Sequence, residues 1–296
     1  MNELIKAEAA GDVAGTKLAC KIVSQHDDLG ALDSLRRHWP EYLMEAGELG
    51  LFMFSACAFA TLLQHPASPI PHIVPGNVAR RALMGLAMGA TAIAIVMSPW
   101  GKQSGGHFNP AVTLTFYRLG KVKVWDAVFY TSGQFIGALV GVAIVTAVLR
   151  GAPAAPEVHY AVTAPGVYGV TVAFAAELVI SFVLMTTVLF VSNREALARY
   201  TPYFAGALVA IYIVCEAPLS GMSMNPARTF ASAFHAMYWR ALWIYFTAPL
   251  LGMLAAAEVF LQIRGGVAPK CAKLYHANNK RCIFPCGYAS AATQDI

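Results

Sequence analysis

The residues best suited to chemistry in this chain come in two matched groups. SGGHFNPA at 104–111 and SGMSMNPA at 220–227 share the pattern Ser-Gly-x-x-x-Asn-Pro-Ala, 116 residues apart. Asn is among the strongest helix N-caps and Pro is best tolerated at the first helical position, so Asn109-Pro110-Ala111 and Asn225-Pro226-Ala227 each predict the start of a helix. Both helices are short: 110–119 ends before Gly120 and a Lys-rich turn, and 226–238 ends near Trp239. Ten residues span about 15 Å, half of the roughly 30 Å of bilayer hydrocarbon. Two such half-helices entering from opposite faces meet head to head at the middle. Their positive termini, each worth about half a charge, then repel cations and protons, while the Asn109 and Asn225 amides offer donors to an uncharged solute. Unsatisfied backbone groups are so unfavourable in lipid that irregular chain at this depth implies a watery cavity.

Arg228, three residues past Asn225, adds a charge to that cavity. An Arg within a spanning region costs at least about 2.5–3.5 kcal/mol on insertion scales, so it is expected to face water or a partner such as Glu216. The matching residue after the first box is Val112, which puts the charge on one side only. Glu45 and Glu177 lie in apolar stretches where a carboxylate must be paired. A scaffold role and a proton relay both remain open for them, and Glu48, one turn on, has no assigned role. His107 reads as a side chain bracing its loop. No nucleophile–base set, phosphate loop or two-carboxylate site emerges, so an enzyme is not expected.

A second constellation lies near the C-terminus. CAKLYHANNKRCIFPC presents Cys271, His276, Cys282 and Cys286, a Cys3His set suited to tetrahedral zinc. A redox-sensitive or lipidated cluster and scattered surface thiols are the competing readings. Apart from this, no cofactor is expected.

The elements that must position these groups follow from composition. Hydrophobic residues make up 57% and charged residues 12%, with mean hydropathy +0.55, which is membrane-protein usage. Six stretches are long and apolar enough to span: 42–63, 80–98, 125–149, 168–192, 202–219 and 241–262. The first 40 residues lack a signal-like apolar core. Placing the N-terminus inside divides the 21 basic residues as 16 cytoplasmic against 5 outside, as the positive-inside rule requires. The net charge of +5 reflects this bias, and no basic stripe for nucleic acid is present. Each Asn-Pro-Ala box follows the second helix of a group of three, so the second group is inverted in the membrane, an architecture of transport proteins. The expected fold is an all-α membrane protein with six transmembrane helices, two re-entrant half-helices and an inverted three-helix repeat. Residues 1–40 are read as a cytoplasmic extension and 41–262 as the channel domain, with repeats at about 41–150 and 166–262. Residues 263–296 form a cytoplasmic tail. Gly85, Gly89, Gly133, Gly137 and Gly206 read as small faces for close helix packing.

The two boxes on half-helices within six spans resemble the aquaporin (major intrinsic protein) family, over about residues 42–262. Glu45, Glu177, Gln134 in YTSGQFIGAL and WIYFTAPLLG in the last span add to the resemblance. It implies that Glu45 and Glu177 receive backbone N–H groups of the re-entrant loops, and that Arg228 belongs to an outer selectivity filter. Register from the second box adds Met222 and Ile213, and the second-helix position falls on Met88 or Gly89, depending on one inserted residue in SPWGKQ. This set lacks both the His of water-selective members and the Trp and Phe of glycerol channels. The function implied is a passive channel for water and small uncharged solutes that excludes ions and protons. The alternatives are a glycerol-type or other neutral-solute facilitator and a proton-coupled transporter. The resemblance further implies a homotetramer in the cell (plasma or inner) membrane, with no nucleic-acid partner.

Overall fold

The computed structural model describes residues 29–288, so Lys6, Lys17 and Lys21 and the last eight residues lie outside the described part. Six helices are long and apolar enough to cross a membrane, and no strand occurs among the described residues. In chain order the spanning and half-helices are α1 (Ala31–Gln64), α2 (Asn77–Met97), α3 (Pro110–Arg118), α4 (Val124–Val148), α5 (Gly169–Ser192), α6 (Thr201–Cys215), α7 (Pro226–Ala236) and α8 (Leu242–Ile263). The two half-helices begin at the predicted prolines and end one and two residues early.

The first span begins eleven residues before the expected position 42 and runs through Pro40. His38 of this added stretch, and Tyr42 just after it, find a partner inside the protein. His38 Nδ1 lies 2.7 Å from Asp126 Oδ1, and the Tyr42 hydroxyl donates to the same oxygen at 2.6 Å. At 1.5 Å per residue, 34 residues extend about 51 Å, well beyond the hydrocarbon. The fifth span stops at Cys215, four residues short of position 219, and a separate turn, Ala217–Ser220, leads into the loop.

Three close pairings build the bundle: α1 on α4, α5 on α8, and α2 on α6. The first two lie within a repeat and the third joins the repeats. Without a hydrophobic drive between helices in lipid, small residues that let backbones touch supply the packing. A Cβ on Gly137 would meet the Ala46 carbonyl, one on Gly252 the Leu178 carbonyl, and one on Gly85 the Ala210 carbonyl. Gly89, Gly133 and Gly206 lie at the same kind of contact. Outward-facing Leu51, Leu86, Ile136 and Ile144 are exposed, as lipid-facing side chains are. Each half-helix packs on the last span of the other repeat, α3 on α8 and α7 on α4. The repeats are therefore interlocked rather than side by side.

Between α8 and residue 288 the described residues form no regular element, yet Cys271, Ala272, Lys273, Leu274 and Phe284 are all buried. This tail folds back over one end of the bundle, called here the tail face.

Candidate functional site

Each re-entrant loop starts with a short helical turn, Pro99–Ser104 or Ala217–Ser220, that ends on a glycine with positive φ, Gly105 at 110° and Gly221 at 84°. Only glycine adopts that conformation without strain, and it turns the chain inward. The loops then hang on the two carboxylates. Glu45 accepts the N–H of His107 at 2.9 Å and of Phe108 at 2.6 Å, and Gln134 Nε2 at 2.7 Å. Glu177 accepts the N–H of Ser223 at 2.7 Å and of Met224 at 2.8 Å, and the Ser220 hydroxyl at 2.7 Å. Both carboxylates are buried and fully used as loop anchors.

The loops bring Asn109 and Asn225 together. Each caps its own half-helix: Asn109 Oδ1 accepts Ala111 N–H, and Asn225 Oδ1 accepts those of Ala227 and Arg228. Each also reaches across. Asn109 Nδ2 donates to the Met224 carbonyl at 2.7 Å, and Asn225 Nδ2 donates to the Phe108 carbonyl at 2.8 Å. Both carbonyls belong to residues with positive φ, 54° at Met224 and 29° at Phe108. Since a side-chain amide carries two N–H donors, one on each Asn remains for the cavity. Pro110, Ala111, Pro226 and Ala227 are the buried first residues of the half-helices.

A cavity of about 250 Å3 runs past both Asn side chains, from Gln64 and Arg81 at one end to Leu274 at the tail face. It far exceeds the ~10–15 Å3 that one water needs. Arg228, Met222, Ile213 and Met88 all line it. Gly89 does not: its α-carbon is turned into the α2–α6 contact, where a Cβ would stand 2.6 Å from the Gly206 carbonyl. Of the two second-helix candidates, Met88 and not Gly89 is on the cavity wall. Arg228 is buried, its Nη1 lacks a partner within the protein, and no ion pair joins it to Glu216. Glu45, Glu48 and Glu177 are not on the cavity wall. Glu48 instead accepts the Ser104 hydroxyl at 2.7 Å.

His107 does brace its loop, with Nδ1 3.1 Å from Thr113 Oγ1. It does more than that. Its Nε2 lies 2.9 Å from the Ala272 carbonyl of the tail, and its ring stacks between Phe116 and Phe284. Sequence reasoning missed this docking, as well as Leu274 at the cavity end and the Phe52–Phe108 ring pair beside the boxes. The available signal was the apolar Leu274, Ile283 and Phe284 set among the tail cysteines. Cys271, His276, Cys282 and Cys286 come together, their ligand atoms all within 4.8 Å of one another.

Comparison with known proteins bears on the fold and the family. The chain is 33% identical to aquaporin NIP2-3 of Zea mays over 62% of its own length and 60% of that protein, and 38% identical to aquaporin NIP6-1 of Arabidopsis thaliana over 62% and 58%. The matched region thus spans about 60% of the length of those relatives. Aquaporin TIP2-1 of Arabidopsis thaliana is 33% identical over 76% of this chain and 86% of its own. Among solved structures, the aquaglyceroporin from Plasmodium falciparum superimposes with a TM-score of 0.61 at 20% identity, covering 77% of this chain and 97% of that one, which shows the shared fold. The major intrinsic protein pattern itself matches residues 34–260, and the chain belongs to that family.

Proposed function

We propose that the protein is a passive transmembrane channel for water and other small uncharged solutes, and not an enzyme. One observation carries this reading: the paired Asn amides at the meeting point of two helix N-termini and the buried Arg228 all open on a single cavity. Donors fixed at mid-depth suit a neutral solute, while the dipole ends and Arg228 disfavour cations and protons. The aquaporin names of the relatives point the same way.

A proton-coupled transporter needs a carboxylate exchanging protons with the path. Glu45 and Glu177 are instead occupied by backbone N–H groups, and neither lines the cavity. The finer selectivity rests on the filter, where Met88, Ile213 and Met222 present three apolar walls opposite one cation. That composition favours a solute bulkier and less polar than water alone, because Met reshapes readily. A glycerol-type facilitator is thus the second reading. The excess of Lys and Arg on the tail face supports a cytoplasmic tail and N-terminus, in a plasma or inner membrane. Family membership supports a homotetramer with one pore per subunit.

Stopped-flow light scattering of reconstituted liposomes tests the reading with water, glycerol and urea. Arg228→Ala is expected to raise glycerol and urea flux relative to water severalfold. Flux that saturates and follows pH, or none above bare lipid in any form of the protein, would overturn the channel.

A further inference from the structure

Nothing in the pore accounts for the tail. Residues 268–288 have no helix or strand, yet Cys271, Ala272, Lys273, Leu274 and Phe284 are buried as in a core, with Cys282 and Cys286 half-buried beside them. A segment that short cannot bury enough apolar surface to order itself, and small irregular folds of this kind generally need a cross-link or a metal.

We propose that Cys271, His276, Cys282 and Cys286 bind one zinc ion, and that the metal locks the tail as a plug across the tail-face mouth of the pore. The ligand atoms already lie within 4.8 Å of one another. Cys271 Sγ and Cys282 Sγ are 3.6 Å apart, near the edge of about 3.8 Å that zinc–sulfur bonds of ~2.3 Å set in a tetrahedron. His276 Nε2 lies 3.0 Å from Cys286 Sγ, and the imidazole is fixed by stacking on Tyr288 at 4.3 Å. Binding releases three thiol protons and leaves a Zn(Cys)3(His) unit of charge −1. The buried Lys273 side chain donates to the Lys280 and Arg281 carbonyls and so ties the stretch after Cys271 to the stretch before Cys282. Three soft thiolates and one imidazole in a closed set of four suit structural zinc over magnesium or calcium.

The same folding places the plug. The Leu274 N–H donates to the Gly105 carbonyl at 3.0 Å, and the Ala272 carbonyl meets His107 Nε2, so the stretch between Cys271 and His276 is seated on the first re-entrant loop. Leu274 lines the cavity there, and Phe284 stacks on the His107 ring. Across the mouth, the Lys270 N–H donates to Asn193 Oδ1 and the Tyr288 hydroxyl to the Ser192 carbonyl. The tail therefore bridges both repeats with an apolar side chain in the path between them.

The metal site stands on side-chain geometry, and the plug rests on the channel reading, so two measurements separate them. Full-length protein purified under reducing conditions is expected to hold one zinc per chain by elemental analysis. Cobalt(II) in its place should give thiolate charge-transfer bands, and Cys282→Ser and Cys286→Ser should lose the metal. Absence of zinc, zinc unchanged in both variants, or a Cys271–Cys282 disulfide in its stead would overturn the site. Liposome water flux should rise severalfold when zinc is removed by a chelator, and also in Leu274→Ala, which should keep its zinc. Flux above bare lipid that neither change alters would overturn the plug and leave the channel standing. Flux at the bare-lipid level in every form would overturn plug and channel together, with the zinc content still judging the site.

Discussion

The two re-entrant loops are built on one plan and surrounded by different chemistry. In each, a carboxylate holds the two N–H groups before the Asn, a Ser hydroxyl folds back on the loop, and a Tyr ties down the Ser carbonyl, Tyr130 to Ser104 in the first and Tyr245 to Ser220 in the second. In each, the residue two before the Asn meets a Thr four beyond it: His107 with Thr113, Ser223 with Thr229. The surroundings then diverge. The first loop has a second acid, Glu48, which accepts the Ser104 hydroxyl, and carries the docked tail; the second has the buried Arg228. The shared plan is what two loops need in order to exist at mid-membrane. The differences are where the proposed filter and the proposed plug lie, and substitutions made in matched pairs separate the two.

The largest effects should come from the anchors. Removing either carboxylate strands three donors in a dry site, at about 1–3 kcal/mol for each unsatisfied group. Glu177→Ala is expected to lower thermal stability in detergent more than Glu45→Ala, because the Ser220 hydroxyl loses its acceptor with Glu177, whereas without Glu45 the Ser104 hydroxyl keeps Glu48 and Gln134 keeps Thr113. The opposite order in melting temperature would break the account of the two surroundings while sparing the shared plan.

The helix contacts should come next, and here the repeats should behave alike. Gly137 meets the Ala46 carbonyl as Gly252 meets that of Leu178, and a Cβ would sit 2.3 Å from the latter oxygen. Gly137→Ala and Gly252→Ala should each cost about 1–3 kcal/mol by forcing packed helices apart. Melting of the two variants side by side checks whether they match; a tolerated substitution at one position would show that the repeats are less equivalent in packing than in loop anchoring.

Arg228→Val copies the first repeat, Val112, into the second. A buried cation with no ion-pair partner opposes folding, so this variant should melt no lower than the parent, and its glycerol-to-water flux ratio in liposomes should rise. Loss of stability instead would mean that Arg228 serves the scaffold and not the filter.

The shared plan was legible because each of its parts has its own physical signature. Asn-Pro announces a capped helix wherever it falls, ten residues cannot cross a bilayer, and a Glu in an apolar helix must be anchoring something. What escaped were features set by tertiary partners. The helical start at Ala31 depends on His38 and Tyr42 meeting Asp126 some 88 and 84 residues away. Whether Met88 or Gly89 faces the cavity depends on how α2 is rotated against Gly206. The tail shows its cysteines in sequence, but nothing local to CAKLYHANNKRCIFPC says that Leu274 and Phe284 pack beside His107. The reciprocal bonds from each Asn to the other loop's carbonyl were equally hidden, since they exist only once both loops are in place.

The smallest effect belongs to the tail's most conspicuous charge contact. Lys270 Nζ lies 2.8 Å from Glu195 Oε1, but the Glu195 side chain is 83% exposed. The hydrogen bond and charge of Lys270 hold the Glu195 carboxyl below its usual range, and Glu195 raises the Lys270 ammonium above its own. A lowered carboxyl pKa adds stability only above the unfolded value and loses it as pH falls through the folded one, and water and salt screen an exposed pair. Glu195→Gln should therefore leave melting and flux within error at neutral pH. Asn193→Ala should loosen the tail visibly, because Asn193 Oδ1 accepts the Lys270 N–H at 2.7 Å and its Nδ2 is tied to the Leu189 carbonyl. Protease sensitivity of residues 264–288 compares the two variants directly. Equal protection would mean that the second repeat holds the tail only through Tyr288 and Ser192, and a larger effect from Glu195→Gln would mean that charge, not the amide, positions the tail on that side.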